Sequence, residues 1–318
     1  MSLPTVLQNL RLPVICAPMF IVSSPALVAA QCKSGIVGSF PALNARGEGA
    51  LDAWLTTLKA DLAADKAAGG NPAPFAVNQI VHASNTRLAE DINVCLQHEV
   101  PIFITSLQAP PKELVDGAHA YGGIILHDVI NVRHAQKAIE AGVDGLIVVA
   151  AGAGGHAGRL SPFALVGEIR KFYKGLIVLS GAITQGDAIL AAQAMGADLA
   201  YMGTRFIATV EANASAAYKE GIIKATANDV IYTNLFTGVH GNYLRSSIEA
   251  AGLNPDDLPE ADKTKMNFGS GGDSAAKAWK DIWGVGQGIG LIDSAPTTAA
   301  LVDALEFEYQ AARARLSL

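Results

Sequence analysis

Residues 145–158 read GLIVVAAGAGGHAG, and the reading of this stretch decides the fold. Its first half is an apolar run, Leu146 to Val149, rich in β-branched residues and bounded by glycine, which reads as a strand buried on both faces. Its second half is glycine and alanine around one histidine, His156. Glycine just past a strand end lets the backbone approach a ligand closely, because no Cβ stands in the way. An imidazole held there sits where barrel and doubly wound enzymes place their chemistry. From this stretch alone, a flexible loop carrying an incidental histidine reads equally well.

Similar runs recur on either side of it. VICAPM (14–19), IVGSF (36–40), FAVNQI (75–80), IFITSL (102–107) and GIILHDV (123–129) precede it, and LIVLSGA (176–182) and LAYMGT (199–204) follow. Helical segments separate them. The first, 25–35, can be started by Pro25 and stopped by Gly35. The helix over 48–68 carries Leu51, Leu55, Leu58 and Leu62 on one side, and others span about 85–99, 131–142, 162–173 and 185–195. The strands are apolar throughout, as expected when both faces are covered. Eight strand–helix units before residue 205 predict an α/β fold, a TIM (β/α)8 barrel; a doubly wound open sheet rarely uses so many consecutive units.

Beyond residue 214 the pattern breaks. Residues 215–280 mix helical segments with LNPDDLPEADKTK and the glycine run FGSGGD (268–273), which predicts a helical insertion after strand eight, covering the C-terminal mouth as a substrate-side lid. Residues 281–318 read as a return segment and closing helix, with Leu301, Leu305 and Tyr309 on one stripe of 297–316. The barrel itself is expected over 1–214.

Composition narrows the function classes. Of 318 residues, 50% are hydrophobic and 16% charged, so a large core can be buried. A net charge of -6 without a Lys/Arg block, and 6% aromatics, argue against nucleic acid as a partner. The three cysteines, Cys16, Cys32 and Cys95, form no even framework and no metal spacing, as in a reduced cytoplasmic protein. No two histidines sit four apart around a carboxylate, so no metal is expected. The uncharged stretch between Arg11 and Lys33 is broken by Pro13, Pro18 and Pro25, and reads as strand, turn and helix rather than a leader or a membrane span.

The seventh strand ends in Ser180-Gly181-Ala182 and the eighth in Gly203-Thr204. In such barrels the loops after these two strands often hold a phosphate. Backbone N–H groups and the Thr204 hydroxyl would supply donors, and Arg205 charge. Tight turns without a ligand are the alternative. The G-x-G spacing in AGAGG (151–155) precedes no helix and reads as chance.

CAPMFIVSSPALVAAQCKSGIVGSF (16–40), GAGGHAG (152–158), SGAITQGDAILAAQAMGADLAYMGTRFIAT (180–209) and WGVGQGIGLID (283–293), taken together, resemble the nitronate monooxygenases, once called 2-nitropropane dioxygenases. The resemblance implies a TIM barrel with FMN at its mouth. It implies that the backbone around Ala17, Pro18 and Met19 meets the flavin ring, with Asn78 and Gly155 also in the cofactor site. It further implies that Gly181, Ala182, Gly203 and Thr204 bind the FMN phosphate, and that Gln287 closes over the flavin. His156 would then orient the substrate or act as a base. The implied reaction is oxidation of alkyl nitronates of the propionate 3-nitronate type by O2; NAD(P)H-dependent reduction of a quinone or enoyl substrate is the alternative. A homodimer is compatible with it.

Two positions depart from the family pattern. Ala182 stands where the family usually shows a second glycine, and its N–H is expected to donate all the same. Asp128 stands where quinone-reductase relatives carry a lysine, and a carboxylate there cannot donate to an anion, so no role is carried onto it. His82, His98, His119 and His134 are expected to be solvated, and His127 to face either mouth or core. His240, Asn242, Tyr243 and Arg245 either line the substrate side or form a surface loop. MGTRFIAT (202–209) holds no cysteine, which sets aside the chemistry of an IMP dehydrogenase.

Overall fold

The computed structural model describes residues 3–261 and 281–317. The apolar runs form strands β1 (Val14–Cys16), β2 (Gly38–Pro41), β3 (Phe75–Val81), β4 (Ile102–Leu107), β5 (Ile124–Val129) and β6 (Gly145–Val149). A two-residue strand, β7 (Gly155–His156), follows, and then β8 (Leu176–Ser180) and β9 (Leu199–Met202). All except β7 join one parallel sheet in the order β1-β9-β8-β6-β5-β4-β3-β2. Its two edges meet where Ile15 bridges Val37, with the Cys16 N–H donating to the Val37 carbonyl at 2.8 Å. The sheet is therefore the closed TIM barrel that the eight units predict.

Alternation along each strand divides the core in two. Ile15, Ile104, Leu126, Ile147, Val178 and Tyr201 fill the barrel, while Val14, Phe103, Ile125, Leu146, Leu179 and Met202 pack outward against the helices. Both faces are buried, which is why the sequence shows continuous apolar runs. At the C-terminal ends the inward positions turn polar: Asn78, Ser106, Asp128, Ser180 and Tyr201 face the mouth. All three cysteines are buried in the outer layer, where burial pushes their thiols up.

The helices begin as their sequences suggest. Ser24 caps α1 (Pro25–Lys33) by accepting the Leu27 N–H, with Pro25 at the first position. Around the barrel follow α2 (Ala50–Ala67), α3 (Leu88–Gln97), α4 (Lys112–Ala120), α5 (Val132–Glu140), α6 (Pro162–Arg170) and α7 (Gly186–Ala194). After β9 come α8 (Thr204–Ile207), α9 (Ala216–Lys224), α10 (Arg245–Ala250) and the final helix α11 (Thr298–Arg315). The last packs against α7 and α1, and its Glu308 carboxylate accepts the Gly186 N–H at 2.7 Å. Among the described residues no helix is long and apolar enough to cross a membrane.

The segment after residue 214 corrects the expectation of a purely helical insertion. Besides α9 and α10 it contains β10 (Val230–Thr233) and β11 (Gly241–Leu244), paired antiparallel, and β11 pairs in turn with β7. The two strands are short, and their third partner lies far away in sequence, so no local period announces them. The FGSGGD run lies outside the described residues.

Candidate active site

A cavity of about 660 Å³ opens at the C-terminal ends of the barrel strands. Ala17, Pro18 and Met19 after β1, Asn78 on β3, Gly155 and His156 on β7, Gly181 and Ala182 after β8, and Gly203 and Thr204 after β9 all border it. Gln287 does not; the cavity wall there is made by Gly286 and Gly288, while the Gln287 side chain is exposed above Gly152. Arg205 is also turned away, its guanidinium donating to the Ser294 carbonyl at 3.3 Å.

The loops around the mouth are locked backbone to backbone. The Gly152 carbonyl accepts from the Ala182 N–H at 3.2 Å and the Gln287 N–H at 2.9 Å, which ties the loop after β6 to that after β8 and to the returning chain. Thr204 Oγ1 accepts the Gly286 N–H at 2.8 Å. The backbones approach so closely that a Cβ at Gly286 would lie 2.8 Å from the Gly152 oxygen, and one at Gly154 2.9 Å from the Gly286 nitrogen. The turn after β8 is left-handed at both Gly181 (φ 138) and Ala182 (φ 55), which explains why a second glycine is the cheaper choice there. The Ala182 N–H is spent on Gly152, so this residue contributes shape to the mouth rather than the expected donor.

His156 is placed by strand pairing. On β7, His156 lies opposite Gly241 and Gly155 opposite Asn242 of β11. The Asn242 amide donates to the Ala153 carbonyl at 2.6 Å, and the Tyr232 hydroxyl to the Ala157 carbonyl at 3.1 Å. The 232–245 segment is thus the clamp on the histidine loop: Asn242 and Tyr243 are buried, Arg245 pairs with Asp256 at 2.7 Å, and Val239 is its contact with the cavity.

The His156 Nε2 stands 2.8 Å from Thr237 Oγ1, and that hydroxyl is 3.0 Å from the Val239 carbonyl. The same hydroxyl accepts the Val239 N–H at 3.3 Å, so Thr237 ties the ring to the backbone of the 237–239 turn through Nε2. Burial holds the His156 pKa down to about 4, so the ring is neutral near pH 7.

The remaining histidines divide unexpectedly. His127 faces outward into the helix layer, with Nδ1 2.7 Å from Thr105 Oγ1, and burial lowers its pKa to about 4. His98 and His119 pair with Asp52 and Asp144 at 2.8 and 2.9 Å. His82 and His134 border the cavity, His134 exposed as expected and His82 half-buried. Neither lies on a barrel strand: His82 follows β3 and His134 is in the first turn of α5, so each reaches the mouth from a βα connection.

The cavity floor is a polar chain. The Asn78 amide nitrogen donates to the Ile104 carbonyl at 3.2 Å and to Ser106 Oγ at 2.8 Å, and the Ser106 hydroxyl donates to Asp128 Oδ2 at 2.7 Å. Burial pushes the Asp128 carboxyl up to about 7. Asp128 Oδ1 and the Tyr201 hydroxyl are buried without a hydrogen-bond partner. Among the described residues no cluster of His, Cys, Asp and Glu could hold a metal ion.

A protein-family model described as nitronate monooxygenase matches residues 2–308. A nitronate monooxygenase of Paraburkholderia phytofirmans is 27% identical over 342 aligned positions, covering 93% of this chain and 92% of that protein. A putative monooxygenase of Mycobacterium tuberculosis is 26% identical over 223 positions, which span 66% of this chain and 60% of the relative's length. Among solved structures, FabK from Thermotoga maritima shares the fold, with a TM-score of 0.77 at 23% identity over 98% of this chain and 96% of that one.

Proposed function

We propose, from the premise that this chain belongs to the nitronate monooxygenase family and is a flavin-dependent oxidoreductase, that it holds FMN at the barrel mouth and oxidises alkyl nitronates of the propionate 3-nitronate type with O2 as final acceptor.

The residues around the cavity suit that cofactor. Its volume lies within the roughly 300–1,000 Å³ of ligand pockets, and its wall of close-packed glycine backbone lets a flat ring approach. Two buried polar atoms on its floor, Asp128 Oδ1 and the Tyr201 hydroxyl, are left unsatisfied by the protein, as suits a site whose occupant has hydrogen-bonding edges. In this reading Ala17, Pro18, Met19, Asn78 and Gly155 surround the ring. Gly181, Ala182, Gly203 and Thr204 form the phosphate turn, and Gln287 braces the cradle from outside through Gly152. Of the 215–280 segment, the described part, 215–261, serves as the substrate-side cover, with Tyr218 and Val239 against the cavity.

When bound, the flavin supplies the redox chemistry, taking electrons from the substrate and yielding them to oxygen. The protein's part is orientation and proton handling. The observation that carries the reading is His156, neutral, at the cavity wall and held through Nε2 by Thr237. Towards a nitronate, already ionised, the ring orients the substrate. Towards a neutral nitroalkane, the neutral imidazole can accept the α-proton.

Anaerobic mixing of the purified enzyme with NADH, and separately with a nitronate, tests the proposal. Bleaching of the flavin by the nitronate and not by NADH is expected; the reverse would make the chain an NAD(P)H-dependent reductase of a quinone or enoyl substrate. Thr237→Val removes the hydroxyl that holds Nε2 of the ring. Losing one such bond lowers kcat/KM about tenfold. Flavin content should stay unchanged, and steady-state kinetics with the absorbance at saturating FMN checks both.

A further inference from the structure

The polar chain on the cavity floor has a direction. The Ile104 carbonyl can only accept, so the Asn78 atom facing it is the amide nitrogen, and the same nitrogen donates to Ser106. Ser106 Oγ therefore sends its only proton to Asp128 Oδ2. The chain ends on a carboxyl whose second oxygen is buried and unsatisfied. The inner face of β9 contributes another unsatisfied group to the same floor, the Tyr201 hydroxyl.

A negative charge has little support in this place. The one hydrogen bond to the carboxyl that the structure records comes from a neutral hydroxyl. Among the described residues bordering the cavity the one Lys or Arg is Arg46, which is exposed at the rim. The other titratable groups around the same space are Tyr201 from β9, Tyr218 from α9, His134 from α5, His82 after β3 and His156 from β7. Burial favours the neutral form of Tyr201, His134 and His156.

We propose that Asp128 is the proton-holding carboxyl of this site, neutral while an anionic ligand occupies the cavity and repelling that anion once it ionises. The inference rests on the reading of the cavity as a flavin and nitronate site, and it names the ligand class as planar, resonance-stabilised oxyanions. With Oδ2 accepting from Ser106, the proton of the neutral acid resides on Oδ1. A lysine in this place would hold an anion by charge; a protonated aspartate admits it by carrying none. Burial brings the ionisation to about pH 7, inside the working range.

Asp128→Asn keeps the size and the acceptor for Ser106 and cannot ionise. Two measurements on the full chain then decide. With FMN bound, nitrate serves as a planar oxyanion that does not titrate, and its dissociation constant is read from the flavin absorbance at pH 6 and pH 8. The wild type should weaken about tenfold over that interval, the cost of one nearby like charge at moderate dielectric. The asparagine variant should change less than twofold.

Thermal melting provides the second measurement and needs no flavin. The carboxyl's pKa in the fold lies above its unfolded value of about 3.9, so its contribution to stability is complete below that value and is lost as pH rises through about 7. The wild-type melting temperature should therefore fall relative to the variant's between pH 5 and pH 8. Equal pH dependence of melting in the two proteins, or of nitrate binding, would overturn the proposal. A chain that takes up no FMN defeats the cofactor reading, and melting alone then decides whether Asp128 holds the proton. If the asparagine variant does not fold, Ser106→Ala replaces it. That change removes the donor to the carboxylate, so the pH midpoint of nitrate weakening should rise, and an unmoved midpoint counts against the proposal.

Discussion

Replacing His156 with alanine is expected to lower kcat/KM on a neutral nitroalkane by about 10²–10⁴-fold, the usual contribution of a positioned base, while FMN remains bound. The size follows from the charge state. Thr237 holds the ring through Nε2, and burial keeps it neutral and able to accept a proton near pH 7. On a nitronate supplied already ionised no proton has to be removed, so the loss should shrink to that of a missing orienting contact, about tenfold. The ratio of the two losses, from oxygen-uptake kinetics on both substrates, separates base from positioner. Full activity of the variant on both substrates would remove His156 from the mechanism. The fold should tolerate the change, because β7 is held by its backbone pairing with β11. The pH dependence of stability adds an independent check. The His156 pKa is held at about 4, below its unfolded value of about 6.5, so its contribution is complete above pH 6.5 and is lost as pH falls through 4. The alanine variant should lose less stability than the wild type over that range.

Gly286→Ala is expected to cost about 1–3 kcal/mol of stability and, with it, at least tenfold in FMN affinity. The added Cβ would sit 2.8 Å from the Gly152 oxygen, 3.2 Å from the Gly154 nitrogen and 3.4 Å from Thr204 Oγ1. The two nearest atoms are backbone and have no side-chain torsion through which to yield. The returning chain must back away, breaking the Gly286–Thr204 hydrogen bond and loosening the Gln287–Gly152 bond beside it. Both bonds position the turns assigned to the phosphate, so affinity should fall together with stability. Urea unfolding and a flavin-fluorescence titration would show it. Gly167→Ala is the control: a Cβ there meets nothing within 4 Å, and alanine inside α6 should stabilise by about 0.5–1 kcal/mol. Unaltered FMN binding by the Gly286 variant would mean that the backbone cradle does not shape the cofactor site.

Much of this site is legible in the residues themselves. The run Leu146–Val149 is continuous because both of its faces are buried, and the glycines after it lie where loops approach within van der Waals distance. Ala17, Pro18, Met19, Asn78, Gly181 and Gly203 all come to one cavity, as strand-end positions in a barrel must. Other features are not local. β10 and β11 are four residues each and gain meaning from pairing with β7, so 215–280 reads as helical until the chain is folded. His82 and His134 reach the mouth from connections whose direction no periodicity specifies. The Ala182 N–H is directed by the Gly152 carbonyl, a partner set by loop packing.

The neighbours His127 and Asp128 show where the division lies. By itself the sequence determined that both stand near the end of a buried strand in a repeated β/α series, because apolar continuity and helix punctuation are properties of local residue order. Which of them faces the ligand was decided by the tertiary structure. Successive side chains on a strand point to opposite faces, and a shift of one residue in register would exchange them. The pairing of β5 with β4 and β6, in a sheet closed between Ile15 and Val37, turns His127 outward to Thr105 and Asp128 inward to Ser106. Barrel closure is a long-range constraint, and it converts two adjacent polar residues into a packed histidine and the floor of the candidate active site.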